Sequence, residues 1–352
     1  MFGAQEDEDF RALWEDGIRV FRRGCCRAAA GNSKAILALA AAAEHLTRSI
    51  LDSFAREYEL RNDLDSAWAV RPPDLLAEGG WTVRVQEDPG GESLDRLLDE
   101  PMEVGRFLDL AISIFNAPGK AHQRGVVQKD VKPANILTDC ADGQVRLTGC
   151  GIASRLPRER QPPGSPETLA GTLAYMAREQ TGRVNRSIDS RSDLYALGVT
   201  LYPMLTGRLP FTASNPMEWV HSHIARQAVA PAERLQGVRS AVSKIIMKLL
   251  AKTAEDRHQT AIGLESDLRN CLAAWEAQRR IEDFALGEQD MADRLMRTVS
   301  IRDSRRLMLH PTGGIGMGLS IGHSIIEDLV WEVMRERAAI TRPPVSVYTS
   351  GG

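Results

Sequence analysis

The pattern of apolar and polar positions changes character near residue 90. Between Gly17 and Ala42 it is strand-like: Ile18 and Val20 alternate with Arg19, Gly24 and Gly31 bracket a stretch of small residues, and an apolar run from Ala35 to Ala40 follows. This predicts two or three strands with a loose turn. Thr47 to Leu64 carries Ile50, Leu51, Phe54 and Tyr58 at helical spacings and predicts a helix. Trp81, Val83 and Val85 alternate with Thr82, Arg84 and Gln86 as in a half-buried strand, and Asp88-Pro89-Gly90-Gly91 then breaks the chain. A small β-rich lobe with one helix, residues 1–86, is the expected first unit.

Beyond the breaker, helical spacing takes over. Glu103 to Gln123 places Phe107, Leu108, Leu110, Ala111, Ile114 and Phe115 on one broad face, and Pro118-Gly119 inside the pattern predicts a kink or an end. Val126-Val127, Ile136-Leu137 and Val145–Leu147 read as short strands, the last two joined across Asp142-Gly143. Pro157 to Glu167 holds four prolines and reads as an exposed loop. Asp193–Leu205, Ala241–Ala251 and Ala261–Trp275 each carry a stripe of Leu, Ile or Met that predicts a helix with one buried face. A helical lobe over 87–285 is expected. From Leu286 the periodicity weakens, so 286–352 reads as a mostly irregular tail ending in Pro, Ser and Gly.

Composition narrows the class. Apolar residues at 43% and charged residues at 26% match ordinary soluble proteins and exclude collagen-like and disordered chains. A net charge of −3 gives no electrostatic reason for a nucleic acid or anionic membrane partner. Five cysteines without a Cys-x-x-Cys spacing point to neither a disulfide framework nor zinc. The longest apolar run, Ala35 to Ala43, falls far below the roughly 20 residues of a membrane span. Met1 to Phe10 carries Glu6, Asp7, Glu8 and Asp9 where a signal peptide needs basic and apolar residues, so a cytoplasmic location is expected.

The stretch that carries chemistry is Lys129-Asp130-Val131-Lys132-Pro133-Ala134-Asn135. Asp, Lys and Asn at offsets of zero, two and five suit phosphoryl transfer: Asp130 accepts the proton of an attacking hydroxyl, Lys132 neutralises the moving phosphoryl group, and Asn135 offers an oxygen to magnesium. A polar surface loop between two strands is the alternative for the same residues.

These residues resemble the catalytic loop of protein Ser/Thr kinases, and the resemblance runs in order from Gly17 to about Trp275. Gly171 to Glu179 looks like the substrate-facing loop, with Thr172 in it and Glu179 closing the activation segment. Asp193-Leu194-Tyr195-Ala196-Leu197-Gly198 looks like the start of the central buried helix, whose aspartate holds the catalytic loop backbone. Arg257 stands where the family pairs an arginine with the Glu179 position. The resemblance implies an α+β, bilobal protein kinase-like fold with a small β-rich N-lobe and a larger α-helical C-lobe. It implies ATP and Mg2+ as cofactors, and a protein substrate or signalling partner. Gly24 and Gly31, with Asn135 and with Glu87 where the lobes meet, are assigned to nucleotide binding. Leu147 to Leu156 and Met217-Glu218-Trp219-Val220-His221 resemble, more narrowly, the kinase module opening large bacterial hybrid sensor kinases. Gly313 to Glu327 looks like the ATP-lid segment of a histidine kinase. The tail lacks that enzyme's phosphoacceptor helix and Asn box, so no histidine kinase activity is expected.

The departures from the family bear on activity. Only Gly24 and Gly31 remain of a phosphate-covering Gly-x-Gly-x-x-Gly, and the strand Ala35–Ala40 carries no lysine, with Lys34 only at its entrance. Glu57 is then expected to be a solvated helix charge. Asp-Phe-Gly becomes Gly149-Cys150-Gly151, which removes a metal-bridging carboxylate; two missing contacts of this kind predict a rate penalty of roughly 10⁴. Cys150 reads as a small buried hydrophobe. Gln128, in place of histidine, is expected to lose a strut of the catalytic loop, Arg178 replaces the proline before Glu179, and Pro203 in the central helix is expected to cost about 3 kcal/mol. An atypical Ser/Thr kinase, a pseudokinase acting as an interaction module, and a truncated remnant of a hybrid sensor kinase all remain open.

Overall fold

The computed structural model describes residues 10–15, 19–27, 33–42, 48–71, 74–78, 81–139, 143–155 and 172–290, which divide into two compact units. The first is an antiparallel sheet of order β1-β2-β3-β5-β4, built from β1 (Phe10–Glu15), β2 (Arg19–Arg27), β3 (Ser33–Ala42), β4 (Asp74–Glu78) and β5 (Trp81–Glu87). The central strand β3 buries Ile36, Leu37, Ala38 and Leu39 in succession. Arg23 grips Asp88 with both arms of its fork, Nε to Oδ2 at 2.5 Å and Nη2 to Oδ1 at 3.2 Å, while the Asp88 N–H donates to the Ala35 carbonyl at 3.1 Å. The end of β5 is thereby pinned beside β3.

Two strands exceed the sequence expectation. β1 precedes Gly17, and β4 offers only Leu75, Leu76 and Ala77, too short a run to show a period. Its hairpin signal is Gly79-Gly80, a turn dipeptide directly before β5. The expected phosphate loop also shifts. Gly24 is not in a loop but inside β2, paired with Phe10 on one side and Ile36 on the other, and β2 continues to Arg27. The connection between the first two strands is 16–18, which contains Gly17 and lies outside the described residues, as does Gly31.

The second unit holds α1 (Arg48–Glu59) and the chain from Pro89 onward. A short sheet, β6 (Glu92–Ser93), β7 (Ile136–Thr138) and β8 (Val145–Leu147), lies beside α2 (Val104–Gln123). Gly91 at φ +79° lets the chain enter β6, since a Cβ there would fall 2.6 Å from the Thr138 carbonyl oxygen. Glu103 caps α2, its Oε2 accepting the Gly105 and Arg106 amides at 2.8 and 3.2 Å. Pro118 does not end this helix. Phe115, Ala117, Pro118, Gly119 and Ala121 are all buried, and a Cβ on Gly119 would lie 3.3 Å from that of Ala261, so close packing on α7 (Ala261–Gln278) offsets the lost hydrogen bond.

α3 (Ser190–Thr206) is buried all round from Ser192 to Thr206 rather than along one stripe, the mark of a helix on the core axis. Pro203 sits in its last turn, where its carbonyl accepts the Gly207 N–H at 2.7 Å and Gly207, at φ +70°, closes the helix. α4 (Pro216–Ile224), α5 (Pro231–Arg234) and α6 (Ser240–Leu249) complete the helices, and α6 packs on both α3 and α7. Glu57 is not solvated: Phe54, Glu57, Leu60 and Leu64 share the inward face of α1 and its extension, and Glu57 is 1% exposed.

Past α7 the chain stays bound without forming a helix. Ile281 is buried, and Phe284 and Leu286 pack on the core. Lys244 Nζ meets Asp283 Oδ2 at 2.5 Å, and the Gly287 N–H donates to Asp267 Oδ2 at 2.8 Å. Asp290 Oδ1 accepts both the amide and the hydroxyl of Thr260 at 3.0 and 3.2 Å. The loop read at 157–167 and the lid-like fragment 313–327 lie outside the described residues. No helix among the described residues is long and apolar enough to cross a membrane.

Candidate active site

The loop 128–135 is held from the core before it presents anything. Asp193, in the first turn of α3 and 1% exposed, accepts the Gln128 N–H on Oδ2 at 2.9 Å and the Lys129 N–H on Oδ1 at 2.7 Å. His122 Nε2 lies 2.9 Å from Asp193 Oδ2, which fixes that carboxylate in turn. Gln128 does not cost the loop its strut. Its Nε2 donates to the Thr148 carbonyl at 2.7 Å, tying the catalytic loop to the residue before Gly149 with an amide where the family uses an imidazole.

The 3-10 turn Pro133–Asn135 then folds Asn135 back onto Asp130. Asn135 Nδ2 donates to the Asp130 carbonyl at 2.8 Å and to its Oδ2 at 2.9 Å. Lys132 Nζ lies 3.1 Å from the same Oδ2 and donates to Thr172 Oγ1 at 2.5 Å, and the Thr172 N–H donates to Asp130 Oδ1 at 3.0 Å. Lys132, Asn135 and Thr172, three residues picked out in the sequence, thus converge on the carboxylate of a fourth, Asp130. A carboxylate offers about four lone-pair positions, so one remains for a hydroxyl proton even with these donors in place.

Glu179 and Arg257 also meet. Arg257 Nη1 and Nη2 reach the two Glu179 oxygens at 2.7 and 3.1 Å with both side chains buried, and Ser192 Oγ donates to Oε1 at 2.8 Å. Burial alone would raise the Glu179 carboxyl, but the guanidinium more than reverses this and holds it below the usual range. Tyr175, after Thr172, is pushed up to about 12 by burial and then by the charges of Asp95 and Asp130. It stays a neutral phenol.

Gln180 was not legible as a site residue. Its Nε2 donates to the Lys129 carbonyl at 2.7 Å, and its Oε1 accepts the Ala177 N–H at 2.9 Å. The second contact is half of a capping box, but Ala177 lacks the hydroxyl that makes such a box visible in sequence.

Gly149 has φ +69°, and a Cβ there would lie 2.8 Å from Asn135 Oδ1. A Cβ on Gly151 would meet the Ser53 Oγ on α1, and Cys150 between the two glycines is buried, as expected. A hard divalent cation needs several oxygen ligands. Asn135 Oδ1 faces Gly149, which has no carboxylate, and no group of three His, Cys, Asp or Glu among the described residues could hold a metal. The donor set does not fit a magnesium ion held by the protein. Gly24 lies in the other unit, and Glu87 closes β5.

A small antiparallel sheet, and a helical unit in which Lys132 and Asn135 meet the carboxylate of Asp130 on a loop whose backbone is held by the buried-helix Asp193, define the scaffold of a phosphotransferase class. The chain belongs to the protein kinase domain family, which it matches over residues 23–267. It is 33% identical over 220 residues to the serine/threonine-protein kinase PknB of Mycobacterium tuberculosis, covering 59% of this chain and 35% of that protein. A probable serine/threonine-protein kinase of Clostridium acetobutylicum is 31% identical over 220 residues (62% and 33%), and the serine/threonine-protein kinase Pkn1 of Myxococcus xanthus 33% over 192 residues (54% and 27%). The matched region therefore spans about a third of the length of these relatives. The family generally uses ATP and Mg2+ and acts on proteins.

Proposed function

We propose that the chain transfers the γ-phosphoryl group of ATP to a serine or threonine hydroxyl of a protein. The observation that carries this is the convergence of Lys132, Asn135 and Thr172 on the Asp130 carboxylate. Asp130 receives the hydroxyl proton, Lys132 neutralises charge on the phosphoryl oxygens, and Thr172 orients both. ATP supplies the phosphoryl group. The absence of a carboxylate at Gly149 favours a second reading, a pseudokinase whose Thr172–Glu179 segment binds a signalling partner.

The resemblance of 147–156 and 217–221 to the kinase module of hybrid sensor kinases supports a third reading, a remnant of such a signalling protein. Purified protein is incubated with labelled ATP and a mixed protein substrate beside Asp130→Asn. Transfer lost in the variant supports the kinase reading. Equal labelling in both means a contaminating kinase, and no labelling together with no rise in melting temperature at millimolar Mg-ATP leaves the pseudokinase.

A further inference from the structure

Lys129 is one of two non-glycine residues with positive φ among the described residues, at +68°. That region costs an L-residue about 1–2 kcal/mol and persists where the surroundings over-determine it. Two buried side chains do so here. Asp193 takes the Lys129 N–H and Gln180 takes its carbonyl, each at 2.7 Å. The Lys129 carbonyl shares a peptide plane with the Asp130 N–H, so whatever fixes that oxygen also fixes where Asp130 begins. Gln180 is 4% exposed, and the Ala177 amide holds its other end, so the carboxamide has no freedom to turn. The Lys129 side chain meanwhile lines a cavity of about 320 Å³ with Arg56 and Arg155.

We propose that Gln180 is a positioning residue for phosphotransfer: through the Lys129 carbonyl it holds the strained 129–130 peptide and so aims the Asp130 carboxylate at the acceptor hydroxyl. This rests on the phosphotransfer reading above. It also makes the end of the substrate-facing segment a direct support of the loop that does the chemistry.

The test uses the full chain with Gln180→Glu, which keeps the acceptor for Ala177 but removes the donor to Lys129, and Gln180→Met, which removes both. Steady-state kinetics should show kcat lowered about 10- to 100-fold with the KM for ATP within twofold of wild type. Hydrogen–deuterium exchange over 128–131 should rise about tenfold in either variant while α3 is unchanged. A merely structural role predicts instead a lowered melting temperature with α3 exchanging faster as well, and that result overturns the proposal. So does unchanged exchange over 128–131. If wild type shows no transfer that Asp130→Asn abolishes, the phosphotransfer reading fails, and with it catalytic positioning; the exchange data then show separately whether Gln180 holds the loop.

Discussion

Removing the Arg257 side chain is the sharpest perturbation of the helical unit. All five of its N–H donors are used: two on Glu179, and one each on the carbonyls of Arg191 at 2.9 Å, Lys252 at 3.1 Å and Ala251 at 2.8 Å. Arg257→Met leaves the Glu179 carboxylate buried without its counter-charge, which costs about 3–5 kcal/mol. For a unit of this size that corresponds to a fall in melting temperature of about 6–20 °C. Glu179→Gln added to Arg257→Met removes the stranded charge but not the three orphaned carbonyls, so the double variant should recover only part of the loss. The pH dependence has a definite sign. The Glu179 carboxyl is held down in the folded protein, so its contribution is complete above about pH 4.5 and disappears as pH falls. In Arg257→Met burial acts unopposed, so the stability gap to wild type should narrow on acidification. Denaturant titration of the three proteins from pH 7 to pH 4 measures this. A single variant within 1 kcal/mol of wild type, or a double variant no more stable than the single, would refute the reasoning.

Burial, with the charge of Lys252 second, pulls His223 down to about 4. Its depressed folded value means stability present above about pH 6.5 and lost between there and pH 4, so His223→Gln should flatten that part of the wild-type stability profile. Gly149→Ala must place a Cβ at positive φ and 2.8 Å from Asn135 Oδ1, and should cost at least about 1–2 kcal/mol by chemical denaturation. No loss would show that this backbone relaxes freely. Asp290→Ala removes the acceptor for the Thr260 amide and hydroxyl and should lower stability by about 1 kcal/mol, whereas an unchanged melting curve would mean that 281–290 is bound by its apolar contacts alone.

The catalytic loop was readable because phosphoryl transfer needs Asp130, Lys132 and Asn135 within one turn, and chemistry that local leaves its spacing in the sequence. Glu179 and Arg257 were readable only through the family likeness, since nothing in either segment announces a partner 78 residues away. Gln180 escaped even that, because its partner is a backbone carbonyl, which has no residue type to recognise. Glu57 departs from expectation for a different reason: a single charge on an amphipathic helix looks solvated until Phe54, Leu60 and Leu64 show which face is inward. Gln128 corrects the opposite error. The loop needs a donor of the right reach to the Thr148 carbonyl, and a carboxamide meets that need as an imidazole does. Gly24 lies in a strand rather than a loop because β1, which carries no clean alternation to announce it, pairs with β2 through Gly24.

The segment 281–290 acquires a further meaning when the chain is considered as a load path. A pull applied at residue 290 is met first by the Thr260 amide and hydroxyl, then at Gly287 by Asp267, whose carboxylate also lies 2.7 Å from His258 Nε2. His258 adjoins Arg257 in the chain, and Arg257 grips Glu179, one residue before the Gln180 that holds the catalytic loop. Tension entering at the end of this module thus has a short, hydrogen-bonded route to the loop bearing Asp130, with α7 anchored at the point where the load arrives.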